Sequence, residues 1–118
     1  MRQVLVIDDL RNFRVAPADT NVVYARTSTA GLAELAKDVA WDEIWLDHDL
    51  GQDKYGVVDS IMPCVDYMAE RSDDGHPVKV ERVLVHTSNP SGSRIMLTML
   101  DRFQYQAEKV QAERYFVV

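Results

Sequence analysis

Carboxylate and imidazole side chains follow three separate apolar runs of this sequence. The three groups are Asp8-Asp9, Asp47-His48-Asp49 and His86-Thr87-Ser88-Asn89. Carboxylates are preferred ligands of hard divalent cations such as Mg²⁺, and histidine titrates near neutral pH, which suits general acid–base catalysis. Unpaired carboxylates at the end of a buried strand are unfavourable unless a cation, a proton or a ligand compensates their charge. These residue types therefore indicate metal binding, proton transfer or both.

The apolar runs have the pattern of strands that alternate with helices. Strands are predicted at 4–8, 21–26, 42–47 and 80–87, with a last strand within 106–118. Helices are predicted at 30–40, along the apolar residues from Val57 to Met68, and from Asn89-Pro90 through Leu100. This alternation favours an α/β domain whose mostly parallel, five-stranded sheet is covered on both faces. Only eleven residues separate Asp9 from Asn21, so the first helix is expected to be short or irregular.

The carboxyl ends of the strands should bring the three polar groups together. In an open parallel sheet the ligand crevice lies beyond those ends. For Asp8 and Asp9 the alternatives are a solvated strand end and a divalent-cation site with Asp47, and we favour Mg²⁺. For His48 and His86 the alternatives are hydrogen-bonded structural residues and an acid–base pair facing a ligand, with Asp49 beside them.

Phosphate is the ligand that the residues around this crevice suit. Asn89, Pro90 and Gly92 have the chemistry of a helix start, and a helix N-terminus attracts phosphate. Arg11 and Arg94 flank the predicted crevice, where either can pair with a phosphate through two hydrogen bonds or simply face solvent. Tyr55 is expected to pack, or to stack on a base.

Size and charge restrict the class of protein. The 118 residues fit one domain, 1–118, and the net charge of −6 argues against a broad basic face for duplex nucleic acid. No apolar run approaches the roughly 20 residues that cross a bilayer, and no signal peptide is evident. We expect a cytoplasmic protein without membrane contact, in which Cys64 is a buried, inert thiol.

The acidic positions resemble those of response-regulator receiver domains. The resemblance implies that Asp8, Asp9 and Asp47 hold Mg²⁺, that Asp47 accepts a phosphoryl group, and that Thr87 or Ser88 contacts its oxygens. The sequence departs from these receivers in two ways. The lysine that ends their fifth strand usually precedes proline, whereas Lys109 precedes Val110, and the fifth helix is absent.

A closer resemblance covers nearly the whole chain. The motifs IDDLR, LDHDLG and VHTSNPSGSRIM, with Gly56 between the last two, resemble the cyclic-phosphate processing receiver domains. The resemblance implies a single flavodoxin-like, three-layer domain that recognises or processes phosphorylated nucleotide or RNA ends derived from cyclic phosphates. His48 and His86, with Asp49, are then the candidates for proton transfer. The alternative is a degenerate receiver that acts as a non-catalytic module, through phospho-signalling or by binding a protein partner.

Overall fold

A parallel five-stranded sheet forms the centre of the computed structural model, which describes residues 1–118. The strands are β1 (Arg2–Ile7), β2 (Asn12–Phe13), β3 (Thr20–Ala25), β4 (Trp41–Leu46), β5 (Asp49–Gln52), β6 (Val58–Ser60), β7 (Val80–Val85), β8 (Ala107–Lys109) and β9 (Phe116–Val117). The helices are α1 (Ser28–Leu35), α2 (Met62–Asp73) and α3 (Pro90–Arg102), with a 3₁₀ turn at Ala112–Arg114. The sheet order β3-β1-β4-β7-β8 is that of flavodoxin-like domains, which confirms the predicted fold class.

The helices begin where local sequence supplies a cap. The Thr27 side chain accepts a hydrogen bond from the Ala30 N–H at the start of α1, and the Asn89 side chain does the same for Gly92 at the start of α3. Helix α2 carries Pro63 in its first turn, where the missing N–H breaks no helical bond. None of the three helices combines the length and the apolar composition needed to cross a lipid bilayer.

The two faces of the sheet are covered by different kinds of structure. Alternate residues of the strands, such as Leu5 and Ile44, point to the face on which α1, α2 and α3 pack. Their neighbours, such as Val6 and Trp45, point to the other face. That second face is covered by the antiparallel ribbon of β2 and β9 and by the 3₁₀ turn, so the third layer of the domain is not helical.

The first crossover differs from its prediction, because residues 8–19 contain no helix. The N–H groups of Leu10 and Arg11 bond to the Asp8 side chain, and the chain then forms β2 and turns past Pro17. Strand β8 and the strands of the ribbon are short. No fifth helix follows β8 in residues 110–118, which agrees with the prediction.

The segment between β4 and α2 also differs from its prediction. Val57 and Val58 recur with later apolar residues at helical spacing, but they lie in and beside the hairpin of β5 and β6 and are exposed. The Asp53 carboxylate accepts the N–H groups of Tyr55 and Val57 and so stabilises the turn. Tyr55 lies in this turn and is also exposed, so it does not pack into the core.

Candidate functional site

A crevice of about 310 Å³ lies at the carboxyl ends of the central strands. It is lined by Asp8, Asp9, Leu10, Arg11, Asp47, Asp49, Gly51, Ser88 and Val118. The groups that follow β1, β4 and β7 in sequence therefore reach one place, as the parallel topology requires. The lining contains four carboxylates and one guanidinium, so its charge is strongly negative.

Three of these carboxylates form a tight cluster. One oxygen from each of Asp8, Asp9 and Asp47 lies within 4.8 Å of the oxygens of the other two. Asp8 and Asp47 are buried, while Asp9 is half-buried against β5. A Cβ atom on Gly51 would lie 2.8 Å from Asp9 Oδ2, and the φ of Gly51 is +77°, so only glycine lets β5 pass this close to the cluster.

Asp8 is surrounded by hydrogen-bond donors. Its Oδ1 accepts the N–H groups of Leu10 and Arg11, both at 2.9 Å, and its Oδ2 lies 2.8 Å from Nε2 of His86. Burial alone acts to raise the pKa of Asp8, but these hydrogen bonds outweigh it and hold the pKa well below its ordinary value. Asp8 is therefore an anion at neutral pH.

Asp47 lies beside Asp8 but has a different electrostatic environment. Burial raises the pKa of its carboxyl group, and the negative charge of Asp8 raises it further, while His86, Thr87 and Arg11 act in the opposite direction. Nη1 of Arg11 lies 3.2 Å from Asp47 Oδ2 and 3.4 Å from Asp8 Oδ2. The Arg11 guanidinium thus bridges the two buried carboxylates.

His86 is fully buried, which changes its expected role. Its ring stacks on Phe116 of β9 with the ring centres 4.7 Å apart, and Nδ1 has no hydrogen-bond partner. The side chain of His86 has no exposed atom, so in this conformation it does not reach a ligand in the crevice, and its role in an acid–base pair with His48 stays a prediction. His86 instead holds Asp8 through Nε2.

His48 lies in sequence between two residues that line the crevice, and its ring, which is outside that lining, belongs to a short polar chain. Its Nδ1 is 3.0 Å from Asp49 Oδ1, and Asp49 Oδ2 accepts a hydrogen bond of 3.4 Å from the amide of Asn89. The ring packs against the first turn of α3, where a Cβ on Gly92 would lie 2.6 Å from His48 Cγ. His48 and Asp49 are therefore held together, and Asp49 is mostly exposed.

The residues predicted to bind phosphate separate into two groups. Arg11 and Ser88 line the crevice. The residues that begin α3 do not offer the expected row of free N–H groups, because Pro90 has none and the Gly92 N–H bonds to the Asn89 side chain. Thr87 is buried, and its hydroxyl oxygen accepts a hydrogen bond from the Asn89 N–H.

Arg94 is exposed and makes neither a hydrogen bond nor an ion pair, so nothing places it at the crevice.

Arg26 was not among the predicted residues, yet it organises the loop that carries Asp8 and Arg11. Its Nη1 donates to the carbonyl oxygens of Asp8 and Arg11 at 3.3 and 2.7 Å, and its Nη2 donates to Asn12 Oδ1. The guanidinium lies over the ring of Tyr24. Arg26 directly follows β3, so its place at a strand end was the signal available in the sequence.

Lys109 ends β8 and is paired in register with Val85, so it lies at the same edge of the sheet as the crevice. Its position is that of the lysine that ends the fifth strand in receiver domains, despite the absence of a following proline. The side chain is exposed and forms no ion pair, and the cation that contacts Asp47 is Arg11.

The donor set fits a Mg²⁺ ion. Mg²⁺ binds one or a few carboxylates and keeps several waters or takes phosphate oxygens, which needs both acidic residues and open volume. The crevice supplies the acidic residues in Asp8, Asp9 and Asp47, and its volume leaves room for waters. No hydrogen bond occupies the Asp9 carboxylate, so it is the most available ligand of the three.

Comparison with known proteins identifies one family. The family described as the cyclic-phosphate processing receiver domain matches residues 3–102, which extend from β1 to the last residue of α3. No curated protein and no solved structure matches the chain.

Proposed function

The chain belongs to the cyclic-phosphate processing receiver domain family, and we propose that it binds a phosphorylated nucleotide or RNA end derived from a cyclic phosphate, together with Mg²⁺, in the crevice. The observation that carries this proposal is the cluster of Asp8, Asp9 and Asp47 in an open crevice that Arg11 and Ser88 also line. Carboxylates, a guanidinium and a hydroxyl around one volume are the groups that a metal and a phosphate need together.

Each residue of the site has a distinct task in this proposal. Asp8, Asp9 and Asp47 hold Mg²⁺, which when bound polarises a phosphoryl oxygen and compensates negative charge. Arg11 and the hydroxyl of Ser88 bind the phosphate oxygens. His86 and Arg26 act behind them, since His86 orients the Asp8 carboxylate and Arg26 fixes the backbone of the loop.

Proton transfer, if the domain opens a cyclic phosphate, falls to His48. Its side chain is partly exposed, and its Nδ1 contact with Asp49 orients the ring. Asp49 stabilises whichever tautomer or charged form carries the proton at Nδ1. With His86 buried, His48 is the one partly exposed histidine next to residues that line the crevice, where the sequence predicts two.

The burial of His86 favours a second candidate function, which is binding without turnover. A site with a single exposed imidazole can still bind a phosphate end. It lacks the second histidine that would complete a pair of proton donor and proton acceptor. In this reading the domain marks or protects the phosphorylated end, or presents it to a protein partner.

A titration with matched variants tests the proposed function. We expect wild-type protein to bind a nucleoside monophosphate and its cyclic form in the presence of Mg²⁺, and to bind the unphosphorylated nucleoside much more weakly. Asp9→Asn removes a metal ligand that holds no hydrogen bond in the fold, so Mg²⁺ affinity should fall about tenfold or more without unfolding. Asp66→Asn, on an exposed position of α2, is the control for lost charge.

The same proteins and nucleotides separate the two functions when conversion of the cyclic phosphate is measured beside binding. Conversion of the cyclic phosphate to the ring-opened phosphate by wild-type protein, with loss of about 10²-fold in His48→Ala, supports processing. Tight binding without conversion across several divalent metals supports recognition alone. Equal affinity for phosphorylated and unphosphorylated nucleosides would contradict the proposed function in both forms.

A further inference from the structure

Arg11 already occupies the space between two of the three clustered carboxylates. A single atom, Nη1, lies within 3.4 Å of both Asp8 Oδ2 and Asp47 Oδ2. A cation that coordinates Asp8 and Asp47 through these two oxygens must share them with Arg11. The guanidinium is therefore the internal counter-ion of the cluster, and a metal competes with it.

An anion meets the opposite obstacle. The crevice is lined by the carboxylates of Asp8, Asp9, Asp47 and Asp49, and its one cationic side chain, Arg11, is committed to two of them. A phosphate that enters alone is repelled by four carboxylates, and the charge of the one guanidinium in the lining is already compensated by two of them. A phosphate alone therefore does not fit the charges of this site.

We infer that the crevice takes a divalent cation and a phosphate group as a pair, in that order, and that Arg11 couples the two binding events. The cation displaces the Arg11 guanidinium from Asp8 and Asp47, and the released guanidinium becomes the partner of the phosphate. This inference rests on the proposed function and adds the order of binding and the residue that enforces it.

The loop around Arg11 suits such a movement, because its backbone is fixed while its side chain is accessible. The Arg11 N–H donates to Asp8 Oδ1, and the Arg11 carbonyl accepts from Arg26. The side chain is 26 % exposed and reaches the carboxylates only through Nη1. Rotation about its side-chain bonds moves the guanidinium into the crevice without any change of fold.

Calorimetric titrations with MgCl₂ and inorganic phosphate test the coupling. For wild-type protein we expect phosphate binding only after Mg²⁺ is present. Arg11→Gln removes the competing cation, so Mg²⁺ alone should bind about tenfold tighter, while phosphate should bind the Mg²⁺-loaded variant about tenfold more weakly. Arg114→Gln removes the same charge from an exposed side chain without hydrogen bonds or ion pairs, and should change each affinity by less than about twofold.

A crystal structure of the wild-type protein with Mg²⁺ gives a second test that does not depend on a variant that folds. We expect Arg11 Nη1 to lie beyond hydrogen-bond distance of Asp8 and Asp47 once the ion is bound. Metal binding with both contacts intact, or equal effects of Arg11→Gln and Arg114→Gln, overturns the inference and leaves the proposed function standing. Wild-type protein that binds neither Mg²⁺ nor any phosphorylated nucleotide overturns the proposed function itself.

Discussion

At the scale of single residues, Asp8 and Asp47 show how environment shifts the pKa of the same type of side chain in opposite directions. Both carboxylates are buried at neighbouring strand ends. Asp8 receives two backbone N–H groups and the imidazole of His86, which lower its pKa, whereas burial and the charge of Asp8 raise the pKa of Asp47. The fold therefore stabilises the charge on one and penalises the charge on the other.

This difference predicts opposite effects of the same substitution in metal-free protein. We expect Asp47→Asn to raise the melting temperature, because it removes a charge that burial and Asp8 make unfavourable. The rise should be about 4 °C for each kcal/mol of stability gained. We expect Asp8→Asn to lower it, because hydrogen bonds to a charged acceptor contribute roughly 1.5–3 kcal/mol each. Thermal unfolding in the presence of a chelator measures both, and a lower melting temperature for Asp47→Asn would refute the account of Asp47.

The two pKa shifts also predict the dependence of stability on pH. The pKa of Asp47 is raised in the folded state, so its ionisation removes stability as pH rises from its ordinary value of 3.8 through the folded value. The pKa of Asp8 is lowered, so its contribution is present above 3.8 and is lost as pH falls below it. In Asp47→Asn the free energy of unfolding should therefore no longer fall as pH rises above 3.8, while its loss below pH 3.8 should be unchanged. Urea denaturation at a series of pH values measures both.

At the scale of elements, the start of α3 is a packing site more than an anion site. The Asn89 side chain caps the helix, and Gly92 leaves the space that the His48 ring fills. The helix start therefore holds the His48 ring in place, and the glycine of the family motif has a steric reason in this chain.

A double-mutant cycle tests this packing. We expect Gly92→Ala to destabilise the domain by about 1–3 kcal/mol, because its Cβ overlaps His48. In the His48→Ala background the overlapping ring atoms are gone and alanine favours the helix, so Gly92→Ala should become much less destabilising, or neutral, there. Urea denaturation of the four proteins gives the coupling energy, and additive effects would show that the two residues act independently.

The elements that the sequence predicts correctly are those with local signals. Asn89-Pro90 marks the start of α3, and the apolar runs mark the strands of the sheet, so the meeting of Asp8 with Asp47 follows from topology alone. The helical spacing of Val57, Val58 and Ile61 predicts a helix that begins too early, because Val57 and Val58 lie beside and in β6 and α2 begins at Met62. The burial of His86 was not predictable, because the ring that covers it, Phe116, lies in the tail.

At the scale of the whole molecule, the tail takes the place of a helical layer. The family match ends with α3 at residue 102, and the residues after it supply β8, the 3₁₀ turn and β9. Phe116 stacks on Phe13 at 4.7 Å and meets Trp45 edge to face at 5.1 Å. One side chain thus joins the ribbon, the sheet and, through His86, the carboxylate cluster.

Phe116→Ala therefore tests whether the tail belongs to the folded domain and supports the site. Loss of a buried phenyl ring costs about 3–5 kcal/mol, and we expect the free energy of unfolding in urea to fall by that amount. Val15→Ala, at an exposed position on the loop after β2, should change it by less than about 0.5 kcal/mol. Because His86 loses the ring on which it stacks, Asp8 loses a fixed partner, and Mg²⁺ affinity of the folded variant should fall as well. A variant as stable as Val15→Ala would mean that the ribbon contributes no core, and unchanged Mg²⁺ affinity would mean that His86 holds Asp8 without support from the second face of the sheet.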